Sequence, residues 1–403
     1  MRFISLTKYS YKYSKRDYEK EYGRRLEAPF TNHFEIRIHQ YNRRKSYPAF
    51  LYYPDEVLKL LEKFYKTYNH FFFIAVRVPK VVLYQFTQLS IVEEVKSTND
   101  IEGVHSTRKE IRDIIENRGP QYSRLQSVVH KYLDLMSDKE IPFDTCQDIR
   151  NFYDDFAHQE ITEEEPKNRL DEELFRKEPV QIEAPTGKTI HQGLYPESLI
   201  IETMNEALKI LHEDEYPLLI RLALFHYFFV YIHPFYDGNG RTDRFITSYF
   251  LSRTFHPLLG VRLSIYIKRN RSLYYHLLEE ADSERNRGDM TPFVIGFLKI
   301  LIGSAEDTIG LLQRKNAQLQ RYEAKIDQLE LPDRLLKEVY VILLQSALFY
   351  GEGISMAGLM KETGRNRGTI QKRLDMIPEN QMIVSKMGKT RYYKLNLMMF
   401  KDI

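Results

Sequence analysis

His233-Pro234-Phe235-Tyr236-Asp237-Gly238-Asn239-Gly240-Arg241-Thr242-Asp243-Arg244 is the stretch whose reading decides the fold of this chain. It follows an apolar run, Leu222 to Ile232, that reads as a buried helix delivering His233 at its end. Pro234 keeps that helix from continuing smoothly. Asp237 to Gly240 make a tight glycine loop, and Arg241 begins a second helix carried on by Phe245, Ile246, Tyr249 and Phe250. A glycine loop at a helix N-terminus turns backbone N–H groups and a positive dipole end toward one point, which suits phosphate oxygens. Arg241 and Arg244, three apart, share one side of the helix and can grip phosphates bidentately. Asp237 is the only carboxylate within the glycine loop, and Mg²⁺ shared with phosphates needs only one or two. His233 is left at the mouth, where a neutral imidazole can act as a general base. A lone histidine at a helix end is usually structural, and a lone Gly-x-Gly is usually a turn. Their combination with an acid and two arginines inside twelve residues points to chemistry.

Outward from this stretch the periodicity is mainly helical. Phe34 to Ile38 alternates like a short strand. Helical patterns run from Pro54 onward, from about Val81 to Lys96, from about Arg108 to Gln159, and from Glu197 to about Ile302. Gly103 can end the second of these helices, and Ser106 to Glu110 can cap the next. Between Lys177 and Pro196, Val180-Gln181-Ile182 and Lys188-Thr189-Ile190-His191 flank Pro185-Thr186-Gly187, a hairpin signal. Residues 304–330 form a charged helix. Leu312, Leu319 and Ile326 recur every seven residues, but Asn316 and Glu323 interrupt the companion seam. An intramolecular linker and a dimerising helix both stay open, so a homodimer is one expectation.

The bulk properties exclude several classes. The 403 residues carry a net charge of +3 with 43% apolar and 29% charged residues, a globular profile rather than a polycation. Cys146 is the single cysteine, so neither an internal disulfide nor a cysteine-based metal cluster is available. The first residues lack the apolar run of a signal peptide, and no segment suits a membrane span. A cytoplasmic location is the expectation.

With these residues in view, the chain resembles the Fic family. Residues 233–244 match its signature, His-x-Phe-x-Asp/Glu-Gly-Asn-Gly-Arg-x-x-Arg, at every defined position, and the resemblance extends over roughly residues 80–303. It implies a mainly α Fic-fold helical bundle with a small β-hairpin flap, and an enzyme that moves AMP from ATP onto a protein hydroxyl. His233 would deprotonate the Ser, Thr or Tyr acceptor, and Asp237 would hold Mg²⁺. Gly238, Asn239 and Gly240 would cradle the α- and β-phosphates. Arg241 would hold the β-phosphate and Arg244 the γ-phosphate. Val180 to Tyr195 resembles the family's flap, in which Thr189, Ile190 and His191 would pair with the target backbone by strand addition. Arg271 to His276 resembles the segment lining the adenine pocket, implicating Tyr275. The family often has Asn seven residues after the second tyrosine, and Asp282 stands there in this chain.

Thr98-Asn99-Asp100-Ile101-Glu102-Gly103 matches the family's inhibitory pattern, Ser/Thr-x-x-x-Glu-Gly/Asn. The resemblance implies that Glu102 pairs with Arg244 and takes the place of a γ-phosphate. By itself the segment reads as a helix C-terminus with a surface glutamate. Phosphocholine, UMP or phosphate as the transferred group, transfer onto the chain itself, and hydrolytic removal of AMP are the alternatives within the same fold.

From Asp333 on, the chain holds 12 Lys and Arg against 7 Asp and Glu, a net of +5 in a chain of +3. Helices starting at Pro332, over Ser355 to Glu362 and over Asn366 to Met376 precede two strands, Met382 to Ser385 and Thr390 to Leu395. That order is a winged helix-turn-helix. Arg365, Arg367, Lys372, Arg373, Lys386, Lys389 and Arg391 suit DNA contact, while protein contact or dimerisation is the competing reading, so a DNA-binding regulator stands as a second class. The expected division is thus an N-terminal region of unassigned role (1–79), a Fic domain (80–303) whose inhibitory helix spans about 85–103, a linker helix (304–330) and a winged-helix domain (331–403).

Overall fold

A computed structural model describes residues 3–116, 123–183, 189–349, 351–387 and 390–400. The chain divides into two compact units, residues 1–68 with 91–305, and residues 69–90 with 306–403.

The larger unit opens with α1 (Leu6–Lys12) and α2 (Lys15–Leu26), each started by a serine whose hydroxyl accepts a backbone N–H. Two antiparallel strands follow, β1 (Asn32–His39) and β2 (Ser46–Leu51). Alternation along β1 buries Phe34, Ile36 and Ile38 on one face. Next come α3 (Asp55–Ala75) and α4 (Lys80–Glu102). Gly103, at φ 77°, ends α4, and Val104 N donates to Asn99 O across the turn (2.9 Å). Thr107 caps α5 (Arg108–Ile115), which precedes α6 (Gln126–Asp134). A reciprocal capping box between Thr145 and Asp148 starts α7 (Cys146–Tyr153). One π-helical turn, Asp154–His158, joins α7 to α8 (Gln159–Glu164) and re-aims the side chains beyond it.

The hairpin is β3 (Gln181–Glu183) paired antiparallel with β4 (Thr189–Gln192), Ile182 opposite His191. Its Pro185-Thr186-Gly187 turn and Lys188 lie outside the described residues. Two helices pack side by side at the centre: α9 (Glu197–His212) and α10 (Leu218–Ile232). Next to α10 lies α11 (Asn239–Thr254). Apolar residues occur all round α10, and nearly every one of them is buried. The unit is completed by α12 (Pro257–Gly260), α13 (Leu263–Arg269), α14 (Arg271–Asp282) and the start of α15 (Thr291–Asp327).

In the smaller unit, α16 (Arg334–Phe349), α17 (Met356–Thr363) and α18 (Arg367–Leu374) accompany a sheet of order β5 (Ile354–Ser355), β7 (Thr390–Leu395), β6 (Met382–Met387). The helices and the β6–β7 hairpin follow the order read from the sequence. The two-residue β5 was not anticipated, because its pairing with Tyr392 and Tyr393 lies far away in sequence. Lys389 lies outside the described residues.

Two boundaries differ from expectation. Residues 304–330 are no separate element: α15 runs unbroken from Thr291 to Asp327. Gly303 does not break it, because a Cβ there would meet the Tyr266 hydroxyl at 2.1 Å, so this glycine serves close packing. The first 68 residues are part of the same unit as 91–305, tied in by the buried Arg25–Asp289 ion pair (3.0 Å) and by Tyr18 donating to Arg285 O (2.7 Å). Among the described residues, no helix is long and apolar enough to cross a membrane.

Candidate active site

The residue that ends α10 is His233 itself. It adopts the left-handed conformation (φ 52°), unusual for a residue with a side chain, and its N–H still donates to Phe229 O (2.9 Å). The helix therefore ends at Ile232, where the apolar run ends. Arg176 stabilises this corner. Its fully buried guanidinium donates from Nε to His233 O (2.9 Å), from Nη1 to Glu178 O (2.6 Å) and from Nη2 to Leu194 O (2.8 Å). A cation at a helix C-terminus is favourable against the carbonyl ends. Sequence reasoning missed Arg176 because its partners are backbone carbonyls 2 to 57 residues away.

The loop after His233 is held from within. Phe235 stacks on Tyr153 (centroids 3.7 Å apart), and Asn239 grips the Phe235 backbone in both directions, accepting from its N–H and donating to its carbonyl at 2.8 Å each. Gly238, at φ 78°, has no room for a side chain, since a Cβ would lie 2.7 Å from Ile161. From there α11 starts, and its leading N–H groups have no partner within the helix.

Each motif arginine meets a carboxylate from elsewhere. Arg244 donates from Nε to Thr98 Oγ1 (3.0 Å) and from Nη2 to Thr98 O (3.1 Å), and its Nη1 lies 2.8 Å from Glu102 Oε1. Burial alone would lower the Arg244 pKa, but the Glu102 carboxylate raises it above its usual value. Arg241 pairs instead with Glu160, just beyond the π turn, at 2.7 Å with both side chains buried. That pair engages one guanidinium nitrogen, and Arg241 is not among the residues lining the cavity described next. Glu160 was not foreseen, since nothing in its local pattern sets it apart from the charged residues after it.

An open cavity is lined by Glu102, His233, Gly240, Arg244, Tyr274 and Tyr275, together with Ile190 and His191 of β4 and Glu279 and Asp282 of α14. Asp237, Gly238, Asn239, Arg241 and Thr189 do not line it. Gly240 abuts the ion pair: a Cβ there would stand 2.2 Å from Glu102 and 2.9 Å from Arg244. Burial, followed by the charges of His191 and Arg176, pushes the His233 pKa down to about 3, so the imidazole is neutral near pH 7. Its Nδ1 faces the Val230 carbonyl (3.4 Å), which can only accept, and that assigns the free lone pair to Nε2.

Tyr274 is a core aromatic: its hydroxyl meets His226 Nε2 at 2.8 Å, and His226 Nδ1 meets Asp243 and Thr247 at 3.0 Å each. Burial lowers His226 and raises Asp243, so both are neutral. On α4, Glu94, Thr98 and Glu102 recur every four residues along one face. Glu94 accepts from Ser264 N (2.7 Å) and Ile265 N (3.1 Å) at the start of α13, and burial raises its pKa to about 7. Arg271 caps the C-terminus of α4 by donating to Ile101 O (2.9 Å).

Among the described residues no group of three or more His, Cys, Asp or Glu side chains could hold a metal ion. Asp237 accepts from its neighbour Gly238 N through one carboxylate oxygen. That donor set fits a Mg²⁺ ion whose other ligands are phosphates and water, and does not fit an all-protein metal site.

The class defined here is a mainly helical protein in which a histidine, the last glycine of its loop and a carboxylate-paired arginine line a shared cavity. A family model described as the Fic/DOC family matches residues 147–251. Relatives named protein adenylyltransferase Fic include one from Drosophila grimshawi, 35% identical over 125 residues. That match spans 31% of this chain and 23% of the relative. The Drosophila melanogaster relative is 47% identical over 72 residues, 18% of this chain and 13% of its own length. The chain thus spans less than a quarter of these relatives. A solved Fic family protein from Desulfovibrio desulfuricans G20 shares the fold, with a TM-score of 0.51 at 19% identity over 86% of this chain and 97% of that one.

Proposed function

We propose that this chain transfers AMP from ATP to a hydroxyl side chain of a protein, releasing pyrophosphate, and that Glu102 holds it inactive. The observation that carries this reading is the 2.8 Å Glu102–Arg244 pair inside the cavity that also holds His233. His233 Nε2 takes the proton of the acceptor hydroxyl. The oxygen then bonds to the α-phosphorus, the bond to the bridging oxygen of the β-phosphate breaks, and pyrophosphate departs. The N–H groups at the start of α11, including that of Gly240, receive phosphate oxygens. Arg244 takes the γ-phosphate once Glu102 withdraws. Arg241, fixed on Glu160, supplies positive charge beneath the loop rather than a direct grip. A Mg²⁺ held by Asp237 would neutralise phosphate charge. Tyr275 lies against the base, and Thr189 and Ile190 of β4 pair with the acceptor's backbone.

Positioning and charge stabilisation account for most of the rate in such a site. While Glu102 is in place, its carboxylate stands where the γ-phosphate needs Arg244, so a bound triphosphate is misaligned for in-line attack. The test is mass spectrometry of a lysate incubated with the Glu102→Gly chain and ATP. Peptides gaining AMP on Ser, Thr or Tyr are the expected result. Peptides gaining another group instead would assign a different donor.

A further inference from the structure

Asp282 occupies the rim of the cavity at the C-terminal end of α14, yet neither of its oxygens is idle. One lies 2.9 Å from His191 Nδ1, and the other accepts from the Tyr227 hydroxyl at 2.6 Å. His191 is the buried residue of β4, and its Nε2 lies 2.8 Å from Tyr231 O. A carbonyl can only accept, so Nε2 carries a proton, and Nδ1 faces a carboxylate. The imidazole therefore spans from α10 to α14 with a charge-assisted contact at one end. Burial opposes protonation of His191, but the Asp282 charge together with the hydrogen bonds to Asp282 and the Tyr231 carbonyl raises the pKa. Among the described residues β4 pairs in a sheet with the three-residue β3. A two-stranded ribbon this short has little stability of its own. Just beyond it Leu194 N donates to Ile232 O (3.0 Å), and side-chain anchors add to that backbone tie in holding the strand beside His233.

We propose that Asp282 is a positioning residue that fixes the flap strand β4 over the cavity through His191, serving acceptor docking rather than base recognition. Each of the two Asp282 oxygens is engaged by a protein group, one of them on β4 itself. Ile190, the neighbour of His191, lines the same cavity, so a shift of His191 displaces the strand to which an acceptor backbone would pair. This inference rests on the transfer activity proposed above, and the experiment separates the two.

Asp282→Asn and His191→Gln are each introduced into the Glu102→Gly chain, and three quantities are measured. These are protein-bound label from α-labelled ATP, the Kd of a non-hydrolysable ATP analogue, and hydrogen exchange of amides 189–192. The expected result is a loss of label of about tenfold or more, analogue affinity within about twofold, and faster exchange in β4 for both variants. A double variant no worse than either single one is also expected, because the two residues act as a unit. Unchanged label and exchange, or a loss of analogue affinity matching the loss of label, overturns the proposal. Absence of label in the Glu102→Gly parent instead overturns the transfer reading, while the exchange measurement still tests the anchor.

Discussion

Arg241 and Arg244 differ in the environment of the carboxylate each has met. The Arg241–Glu160 pair is buried on both sides, whereas in the Arg244–Glu102 pair the arginine is buried and Glu102 keeps 27% of its side chain exposed, on the cavity wall. A buried ion pair is costly to break, because the survivor is left as an uncompensated charge. A pair with one partner at an open cavity can be exchanged for another anion at little cost. The same motif thus uses one arginine as a fixed part of the scaffold and the other as a contact that a phosphate can replace. On the proposed reading, that difference places the brake at Arg244 rather than at Arg241.

The sharpest test of this contrast begins at the base. His233→Ala in the Glu102→Gly chain should lower transfer by about 10²- to 10⁴-fold, the usual contribution of a positioned general base. Its thermal midpoint should be preserved, as read by circular dichroism. Next in size is Glu160→Ala, which should destabilise the chain by about 3–5 kcal/mol in urea unfolding. Glu102→Gly should cost on the order of 1 kcal/mol, because Arg244 keeps Thr98 and gains access to water through the cavity. Equal losses for the two would remove the distinction between them. In activity, Glu102→Gly should gain about 5- to 150-fold, the range of an ordinary coupling free energy.

A smaller effect concerns pH. His233 in the folded chain titrates near 3, well below its ordinary 6.5. Between those values the unfolded chain binds a proton that the folded chain refuses, so this group's contribution to stability is present above pH 6.5 and lost as pH falls toward 3. His233→Ala should flatten that part of the stability profile. The smallest expected effect lies in the other unit, where Arg365, Arg367 and Lys372 are exposed on and beside α18. If they meet DNA phosphates, changing all three to Gln should weaken a salt-dependent gel shift and leave AMP transfer unaltered.

The motif, the helices around it and the flap strands were legible in the sequence because each is a local pattern: an apolar run, a glycine loop, a hairpin alternation. Glu102 was legible only through its resemblance to an inhibitory segment, since periodicity alone reads it as a surface glutamate. Arg176, Glu160 and Asp282 were not assigned their observed contacts, for one shared reason. Their partners lie 18 to 91 residues away, apart from one short backbone bond of Arg176, and are brought near by tertiary packing. The unbroken α15 was misdivided for a related cause. A change in surface charge at residue 304 resembles a boundary, while the buried stripe continues through Leu312, Leu319 and Ile326.

The central claim is that Glu102 keeps a competent base idle by occupying Arg244. It is tested most directly by incubating the wild-type, Glu102→Gly and Glu102→Gly/His233→Ala chains with α-labelled ATP and counting protein-bound AMP. Strong label only in Glu102→Gly is the predicted result. Equal label in wild type and Glu102→Gly, or label that survives the loss of His233, would contradict it.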